Sequence, residues 1–281
     1  MASAWDLISS ACGVIYFTAW SASFYPQIIL NHKRRSALGL APDFVVVNPI
    51  GFLCLTIWSF GAYFSPTARR QYAERHDGHT PQVSKSDLAF SAHALLLSTL
   101  TLIQSAWLFY RAHRARRNIE EESPLVRRKH KAPVTPHRLT RVALVAMAIA
   151  TLWVGTSTLL GQTELLDLLY FASSLKIIIT TIKYTPQLIL NYKLKSVRGF
   201  AITTILADLT GGIFSLAQLV ISSVFIDGQV AGIWANPGKL GLALLTIVFD
   251  IAFIVQHYVL YPNRGDENED EYADDVYEDD E

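Results

Sequence analysis

The chain is poor in charged residues and in cysteine. Aspartate, glutamate, lysine and arginine make up 17% of its 281 residues, whereas a soluble domain usually carries about a quarter. The apolar share is 51%. Its two cysteines, Cys12 and Cys54, both lie inside apolar runs, so we expect small buried hydrophobes and exclude a disulfide framework.

Signals of catalysis are also absent. The sequence has no nucleophile elbow, no glycine-rich phosphate loop, no paired catalytic carboxylates and no HExxH motif. The N-terminal MASAWDLISS lacks the basic region of a cleaved signal peptide. We therefore predict a non-enzymatic protein without a metal site or an organic cofactor, whose first apolar run is retained.

Long apolar runs dominate the chain instead. A helix needs about 20 residues to cross about 30 Å of hydrocarbon, and seven runs suit this length. They lie near residues 8–30, 43–64, 88–110, 139–160, 164–190, 201–224 and 238–261. The sequence predicts an all-α integral membrane protein with seven transmembrane helices in a lipid bilayer.

Charge is distributed unevenly around these spans. The loops after spans one, three and five hold fifteen Lys and Arg residues, and the alternate loops hold four. The positive-inside rule then makes the N-terminus lumenal and the C-terminus cytosolic. The loop 111–138 is interpreted as a flexible basic connector, with binding to anionic lipid as the alternative.

The end of the chain is acidic. Residues 262–281 hold eleven acids and Arg264, so the zero net charge combines a basic body with an acidic tail. No nucleic-acid partner follows from this balance. We expect the tail to be cytosolic and accessible to a cytosolic adaptor protein.

The sequence matches itself after a shift of 160 residues. Residues 26–41 read PQIILNHKRRSALGLA, and residues 186–201 read PQLILNYKLKSVRGFA. The register continues, so that Asn48 falls on Asp208. Such internal repeats are typical of transporters, which place their site near the midplane between the halves.

A weaker match extends the repeat to a third span. IQSAWLF at 103–109 resembles VQHYVLY at 255–261, with an offset of 152. Because span one and span five run in the same direction, the two repeats are parallel. The predicted organisation is a first three-helix repeat (1–110), a basic connector (111–138), a linker helix (139–160), a second three-helix repeat (164–261) and an acidic tail (262–281).

Each repeat carries a Pro-Gln pair inside its first helix. Pro26 and Pro186 each lack an N–H and clash with the preceding turn, which kinks a helix. Gln27 and Gln187 stand beside the kinks. We interpret the two pairs as hinges for alternating access; a static bend that improves packing is the alternative.

Acidic residues inside the spans are candidate proton carriers. Asp208 lies about two turns from the cytosolic end of span six, where an ionised group costs on the order of 3 kcal/mol or more unless it faces a cavity or a partner. Asp250 lies midway along span seven. Asp87 and Asp43 open spans three and two, where helix capping is the alternative role.

Basic residues also lie within the spans. Lys176 and Lys183 are seven residues apart, hence on one helix face, and we expect them to line a cavity. Lys239 starts span seven, where snorkelling is the alternative. For the intramembrane His93 and His257, a buried hydrogen bond is favoured over proton relay.

With these motifs together, the chain resembles the PQ-loop family, and within it the branch of cystine carriers. The resemblance covers most of residues 15–262. Its most specific strings are AWSASFYPQIILNHKRRSALGLAPDF, SDLAFSAHALLL, KYTPQLILNYKLKSVRGF, DLTGGIFSLAQL and IVFDIAFIVQHYVLY.

The resemblance implies proton-coupled export of L-cystine from the lysosomal, vacuolar or endosomal lumen to the cytosol. It implies that Asp208 is the principal proton-coupling carboxylate, supported by Asp87 and Asp250. The substrate contacts that it implies are Trp20, Phe24, Asn48, Lys176, Lys183, Asn191, Asp208 and Lys239.

Two other functions stay open at this point. One is a PQ-loop carrier of another amino acid, although Lys176 and Lys183 argue against a cationic cargo. The other is a receptor or scaffold in the vacuolar membrane, which the acidic tail and the basic connector would suit.

Overall fold

The structure is a computed structural model that describes residues 4–37, 39–76, 78, 80–81, 83–122, 137–197, 201–228, 230–235 and 237–262. Within these ranges the regular elements are all helical. In order they are α1 (Ala4–Ala22), α2 (Phe24–Arg34), α3 (Pro42–Phe64), α4 (Pro66–Arg75), α5 (Lys85–Glu122), α6 (Arg138–Leu159), α7 (Leu165–Leu194), α8 (Ile202–Val220), α9 (Ala231–Ala235) and α10 (Pro237–Val255). Helices α8 and α10 continue as π-helical turns, Ile221–Ile226 and Gln256–Leu260.

Seven helical segments are long and apolar enough to cross a membrane, which confirms the predicted fold class. They are Ala4–Arg34, Pro42–Phe64, Lys85–Arg114, Arg138–Leu159, Leu165–Leu194, Ile202–Ile226 and Gly238–Leu260. We call the end that carries Arg34, Arg114 and Lys193 the basic end, and the other end the opposite end.

The predicted connector 111–138 begins too early. Helix α5 continues as far as Glu122, because the stretch RAHRARRNIEEE contains mostly good helix formers and no proline or glycine. Residues 123–136 lie outside the described residues. So does the predicted acidic tail, apart from Pro262.

The two repeats form two three-helix bundles that pack side by side. In the first, α5 lies between the α1–α2 segment and α3; in the second, α10 lies between α7 and α8. Between the bundles, α1 packs against α8 and α3 against α7. Helix α6 packs against α7 and is otherwise largely exposed, as a lipid-facing linker requires.

The two prolines differ in their effect on the helix. In the first repeat the helix is interrupted at Ser23, between α1 and α2. The break lies in the turn before Pro26, where the ring would clash with the carbonyl of Ala22. In the second repeat α7 is continuous through Pro186. The hinge role of both pairs stays a prediction.

The repeat also holds in backbone detail. Arg35 directly follows α2 and Lys195 directly follows α7, and these two residues are again 160 apart. Both adopt a left-handed conformation, with φ of 51° and 50°. Each donates its N–H to the carbonyl three residues earlier, His32 and Tyr192. The same unusual backbone therefore closes the first helix of each half.

Helix α4 joins the two bundles at the opposite end. Helix α4 follows α3, and its Arg75 forms ion pairs with Glu164 and Asp167 at the start of α7, both at 2.6 Å. Gln71 accepts the backbone N–H of Leu166 at 3.0 Å. This helix therefore anchors the first turn of the second repeat to the first repeat.

Candidate functional site

A cavity of about 710 Å³, including the space at its opening, lies between the two bundles. Both repeats contribute to its wall, with apolar and aromatic groups around a few charged ones. Its lining includes Trp20, Phe24, Gln27, Phe44, Asn48, Phe52, Phe90, Lys176, Lys183, Tyr184, Thr204, Asp208, Leu242 and Thr246.

Asp208 forms the acidic part of this wall. Its carboxylate accepts a hydrogen bond from the phenol of Tyr184, which is 2% exposed. The indole N–H of Trp20 donates to the backbone carbonyl of Asp208 at 3.0 Å. The ring of Trp20 lies against Gly211, whose missing side chain makes this approach possible. Asp208 is thus held from both repeats.

The basic part of the wall consists of two buried lysines from α7. The ammonium of Lys183 donates to Asn48 Oδ1 at 3.2 Å and lies 4.2 Å from the ring centroid of Tyr184. The ammonium of Lys176 lies 3.7 Å from the ring centroid of Phe52. Asn48 and Asp208, which occupy equivalent positions in the repeat, therefore stand in the same cavity with different neighbours.

Asp250 lies behind this wall rather than on it. It is fully buried, and neither carboxylate oxygen has a hydrogen-bond partner among the described residues. It is close enough to Asp208 and Lys183 for their charges to act on it. A buried carboxyl without a partner is costly when ionised. Asp250 is therefore a second candidate proton carrier, beside Asp208, at the centre of the molecule.

A second cavity, of about 620 Å³ including the space at its opening, lies toward the opposite end. Asp87 and Lys239 line it, with 3.9 Å between Asp87 Oδ1 and Lys239 Nζ. Four side chains line both cavities and so form the partition between them. They are Trp20, Phe90, Lys176 and Leu242.

Asp87 caps α5 from within the first turn of that helix. Ser84 is the residue before α5, and its backbone N–H donates to Asp87 Oδ2 at 2.8 Å, while the Ser84 hydroxyl accepts the backbone N–H of Asp87. This reciprocal pair is a capping box. The phenol of Tyr16 also donates to Asp87, at 2.6 Å. Asp43 accepts the backbone N–H of His137, so it anchors the start of α6 instead of its own helix.

The glutamines of the two Pro-Gln pairs each reach across to the other repeat. Gln27 accepts the backbone N–H of Ala201 at 3.0 Å, and Gln187 accepts that of Ala41 at 2.8 Å. The two alanines directly precede α8 and α3. We call these two bonds the crossed glutamine bonds; they join the bundles at the basic end.

Each crossed bond is supported by an asparagine and a further glutamine of its own repeat. Gln187 donates to Asn191, which in turn donates to Gln256. Gln27, Asn31 and Gln104 make the equivalent chain in the first repeat. Asn191, a predicted substrate contact, therefore lies in this chain and not on the wall of either cavity.

Replacing Gln187 by leucine is expected to destabilise the protein. The change removes the partners of the Ala41 N–H and of the Gly39 carbonyl, and an unsatisfied buried polar group costs about 1–3 kcal/mol. The midpoint of thermal unfolding in detergent measures the effect. Gln162→Leu, in the exposed turn after α6, is the matched control. Equal shifts in the two variants would contradict a structural role for the crossed bond.

Sequence reasoning missed three side chains that the cavities depend on. Tyr16, Tyr184 and Gln218 contact Asp87, Asp208 and Lys239 respectively. The position of Tyr184 between Lys183 and the second Pro-Gln pair was a usable signal. Of the histidines, His93 bonds Tyr25 through Nε2 at 3.1 Å. No group of three metal-ligand side chains occurs within the described ranges.

Comparison with known proteins places these features in a family. The PQ loop repeat matches residues 8–68 and 168–227, two segments that begin at the same offset of 160 as the internal match in the sequence. The chain is 35% identical to the cystinosin homolog of Dictyostelium discoideum over 268 residues, which is 93% of this chain and 84% of that protein. It is 30% identical to the cystine transporter of Saccharomyces cerevisiae, over 92% of this chain and 96% of that one.

Animal relatives are longer. The chain is 34% identical to cystinosin of Bos taurus over 92% of its own length, but it spans only 65% of that protein. The identity and coverage across slime mould, yeast and cattle extend far beyond the Pro-Gln pairs. The chain therefore belongs to the cystinosin family of PQ-loop membrane transporters, a family of carriers rather than enzymes.

Proposed function

We propose that this protein moves L-cystine across a lysosomal or vacuolar membrane into the cytosol together with protons. One observation carries the proposal. A single cavity between the two repeats is lined by the carboxylate Asp208 and by the two ammonium groups of Lys176 and Lys183. The names of the relatives, cystinosin and cystine transporter, point to the same substrate.

The chemistry of cystine suits this wall. Cystine carries a carboxylate and an ammonium at each end, joined by an apolar disulfide segment. Lys176 and Lys183 are donors for a carboxylate, Asp208 and Asn48 are acceptors for an ammonium, and Trp20 offers an aromatic surface for the middle of the molecule. A purely cationic amino acid would have to enter beside two buried ammonium groups, which disfavours it.

Asp208 is the proposed proton carrier. It stands on the cavity wall, where substrate and water can reach it, and its carboxylate receives the Tyr184 phenol. Asp250 behind it and Asp87 at the second cavity are the proposed supporting carboxylates. A proton loaded from an acidic lumen and released at neutral pH would drive export, with no cofactor other than the proton.

Alternating access is the proposed mode of movement. The crossed glutamine bonds join the repeats at the basic end. At the opposite end Ser9 and Ser222 are bonded at 2.9 Å, and Asp87 faces Lys239. The central cavity lies between these two sets of contacts, so breaking one set at a time would open it to one side. We propose that the basic end is cytosolic, since it carries most of the Lys and Arg residues.

Uptake of labelled cystine into liposomes tests the proposal. The purified protein is reconstituted, and uptake is followed with and without an inward proton gradient. We expect uptake that rises with the gradient and that excess unlabelled cystine suppresses. Suppression by lysine or arginine instead would favour a carrier of another amino acid. No uptake by demonstrably folded protein would favour the receptor or scaffold function.

A further inference from the structure

Lys239, at the wall of the second cavity, is held more closely by a neutral amide than by Asp87. Its ammonium lies 2.8 Å from the side-chain oxygen of Gln218 and 3.9 Å from Asp87 Oδ1. The ring of Tyr16 lies 5.1 Å away. An amide oxygen orients an ammonium without cancelling its charge, whereas a carboxylate at the same distance would form a full ion pair.

The orientation of the Gln218 amide is itself set from the other repeat. Its NH2 group donates to the backbone carbonyl of Ser9 in α1 at 3.2 Å. With the NH2 group directed at this carbonyl, the oxygen must face Lys239, since the two ends of an amide are opposite in hydrogen-bonding character. The geometry thus determines which atom of the amide meets the ammonium.

The amide of Gln218 packs against α1 at Gly13. A Cβ built on Gly13 would lie 2.7 Å from Gln218 Nε2, so a side chain at this position would make the amide shift. Glycine at position 13 therefore lets the amide lie against α1 and reach the Ser9 carbonyl. The side chain of Gln218, on α8 of the second repeat, is thus positioned by α1 of the first repeat.

We propose that Gln218 is a positioning residue for substrate recognition, holding the Lys239 ammonium at the wall of the second cavity for the carboxylate of an arriving amino acid. The inference rests on the proposed function, because the Lys239 ammonium would bind the carboxylate of a zwitterionic substrate before that substrate passes the partition between the two cavities. The neutral amide orients the ammonium without adding a negative charge beside it, and its bond to Ser9 links the position of the ammonium to the contact between the repeats.

Gln218→Glu tests the inference by nearly isosteric replacement. The new carboxylate pairs with Lys239 and competes with the substrate, so the KM for cystine is expected to rise about tenfold, the loss of one charge–charge contact, while the maximal rate changes little. Gln218→Met, which removes the polar atoms at similar size, is expected to raise KM as well. Gln162→Glu makes the same charge change in an exposed turn at the same end and is expected to leave KM unchanged.

A thermal double-mutant cycle provides a readout that does not depend on transport. Gln218→Glu loses the donor to the Ser9 carbonyl in either background, but it is expected to lower the melting temperature less when Lys239 is present than in a Lys239→Gln background, where the carboxylate has lost the ammonium. Equal shifts in the two backgrounds would overturn the pairing.

The two proposals fail in different ways. Wild-type uptake of cystine with an unchanged KM in Gln218→Glu would overturn the role of Gln218 and leave the transport function standing. Absence of cystine uptake by the wild type would overturn the transport function itself.

Discussion

Asp208→Asn is expected to reduce proton-driven cystine uptake to the level of empty liposomes. Asparagine has nearly the same shape and still offers an oxygen to the Tyr184 phenol, so the fold around the cavity should persist. What it lacks is an ionisable group, and the proposed coupling needs a carboxyl that loads a proton on one side and releases it on the other. Uptake with and without the gradient is the measurement.

Two controls make the Asp208 result interpretable. Asp227→Asn removes a carboxylate from an exposed turn after α8 and should leave uptake unchanged. A cystine-induced shift of the melting temperature in Asp208→Asn would establish that the variant is folded and binds substrate. Gradient-driven uptake that survives in Asp208→Asn would move the proton site to Asp250 or Asp87.

The equivalence of the repeats permits a more stringent variant. Exchanging the two residues, as Asn48→Asp with Asp208→Asn, keeps one carboxylate in the cavity but moves it to the first repeat. There it would stand about one hydrogen-bond length from the Lys183 ammonium, which stabilises its ionised form. We expect the exchange not to restore coupling. Restoration would mean that any cavity carboxylate suffices.

Gly211→Ala is expected to destabilise the protein and to disrupt the cavity, although alanine is the better helix former. A Cβ built on Gly211 would lie 2.2 Å from Trp20 Cδ1 and 2.5 Å from its Nε1. The indole cannot easily retreat, since it is 6% exposed, stacks on Phe90 at 5.1 Å and donates to the Asp208 carbonyl. Overpacking of this kind costs typically about 1–3 kcal/mol.

The neighbouring glycine supplies the matched control. A Cβ on Gly212 would meet side-chain carbons of Ile247 at 3.3 Å and of Thr246 at 3.5 Å, which need to give by no more than a few tenths of an ångström. Gly212→Ala gains the same helix propensity, about 1 kcal/mol, without displacing an aromatic ring. We expect a clearly lower melting temperature for Gly211→Ala than for Gly212→Ala, and weaker cystine binding only in the former. Equal melting temperatures would contradict the tight packing of Trp20 against Gly211.

The internal repeat made much of the architecture predictable from the sequence. The offset of 160 paired Asn48 with Asp208, and both line one cavity. The offset of 152 paired Gln104 with Gln256, and each ends the equivalent chain of hydrogen bonds in its own repeat. These predictions succeeded because duplicated halves must repeat their packing, and hydrophobic length alone identifies membrane spans.

What the sequence did not reveal depends on contacts between distant segments. Asn191 stands one helical turn beyond Gln187, and only the packing of α7 against α10 shows that it faces Gln256 rather than a cavity. The amide of Gln218 resembles any polar residue within a span until Ser9 and Lys239 are brought to it. The extension of α5 to Glu122 was missed because its charges suggested a loop, although charged residues are good helix formers in water.

The crossed glutamine bonds have a consequence for how such a molecule could originate. Ala41 and Ala201 each present an N–H at the start of a helix, and in each case the acceptor belongs to the other half. A chain with one repeat alone would leave one donor and one acceptor without partners. Two identical copies placed side by side in the same orientation would satisfy both by reciprocal exchange. Each half of this protein therefore has the hydrogen-bond donor and acceptor that one subunit of a symmetric dimer would need.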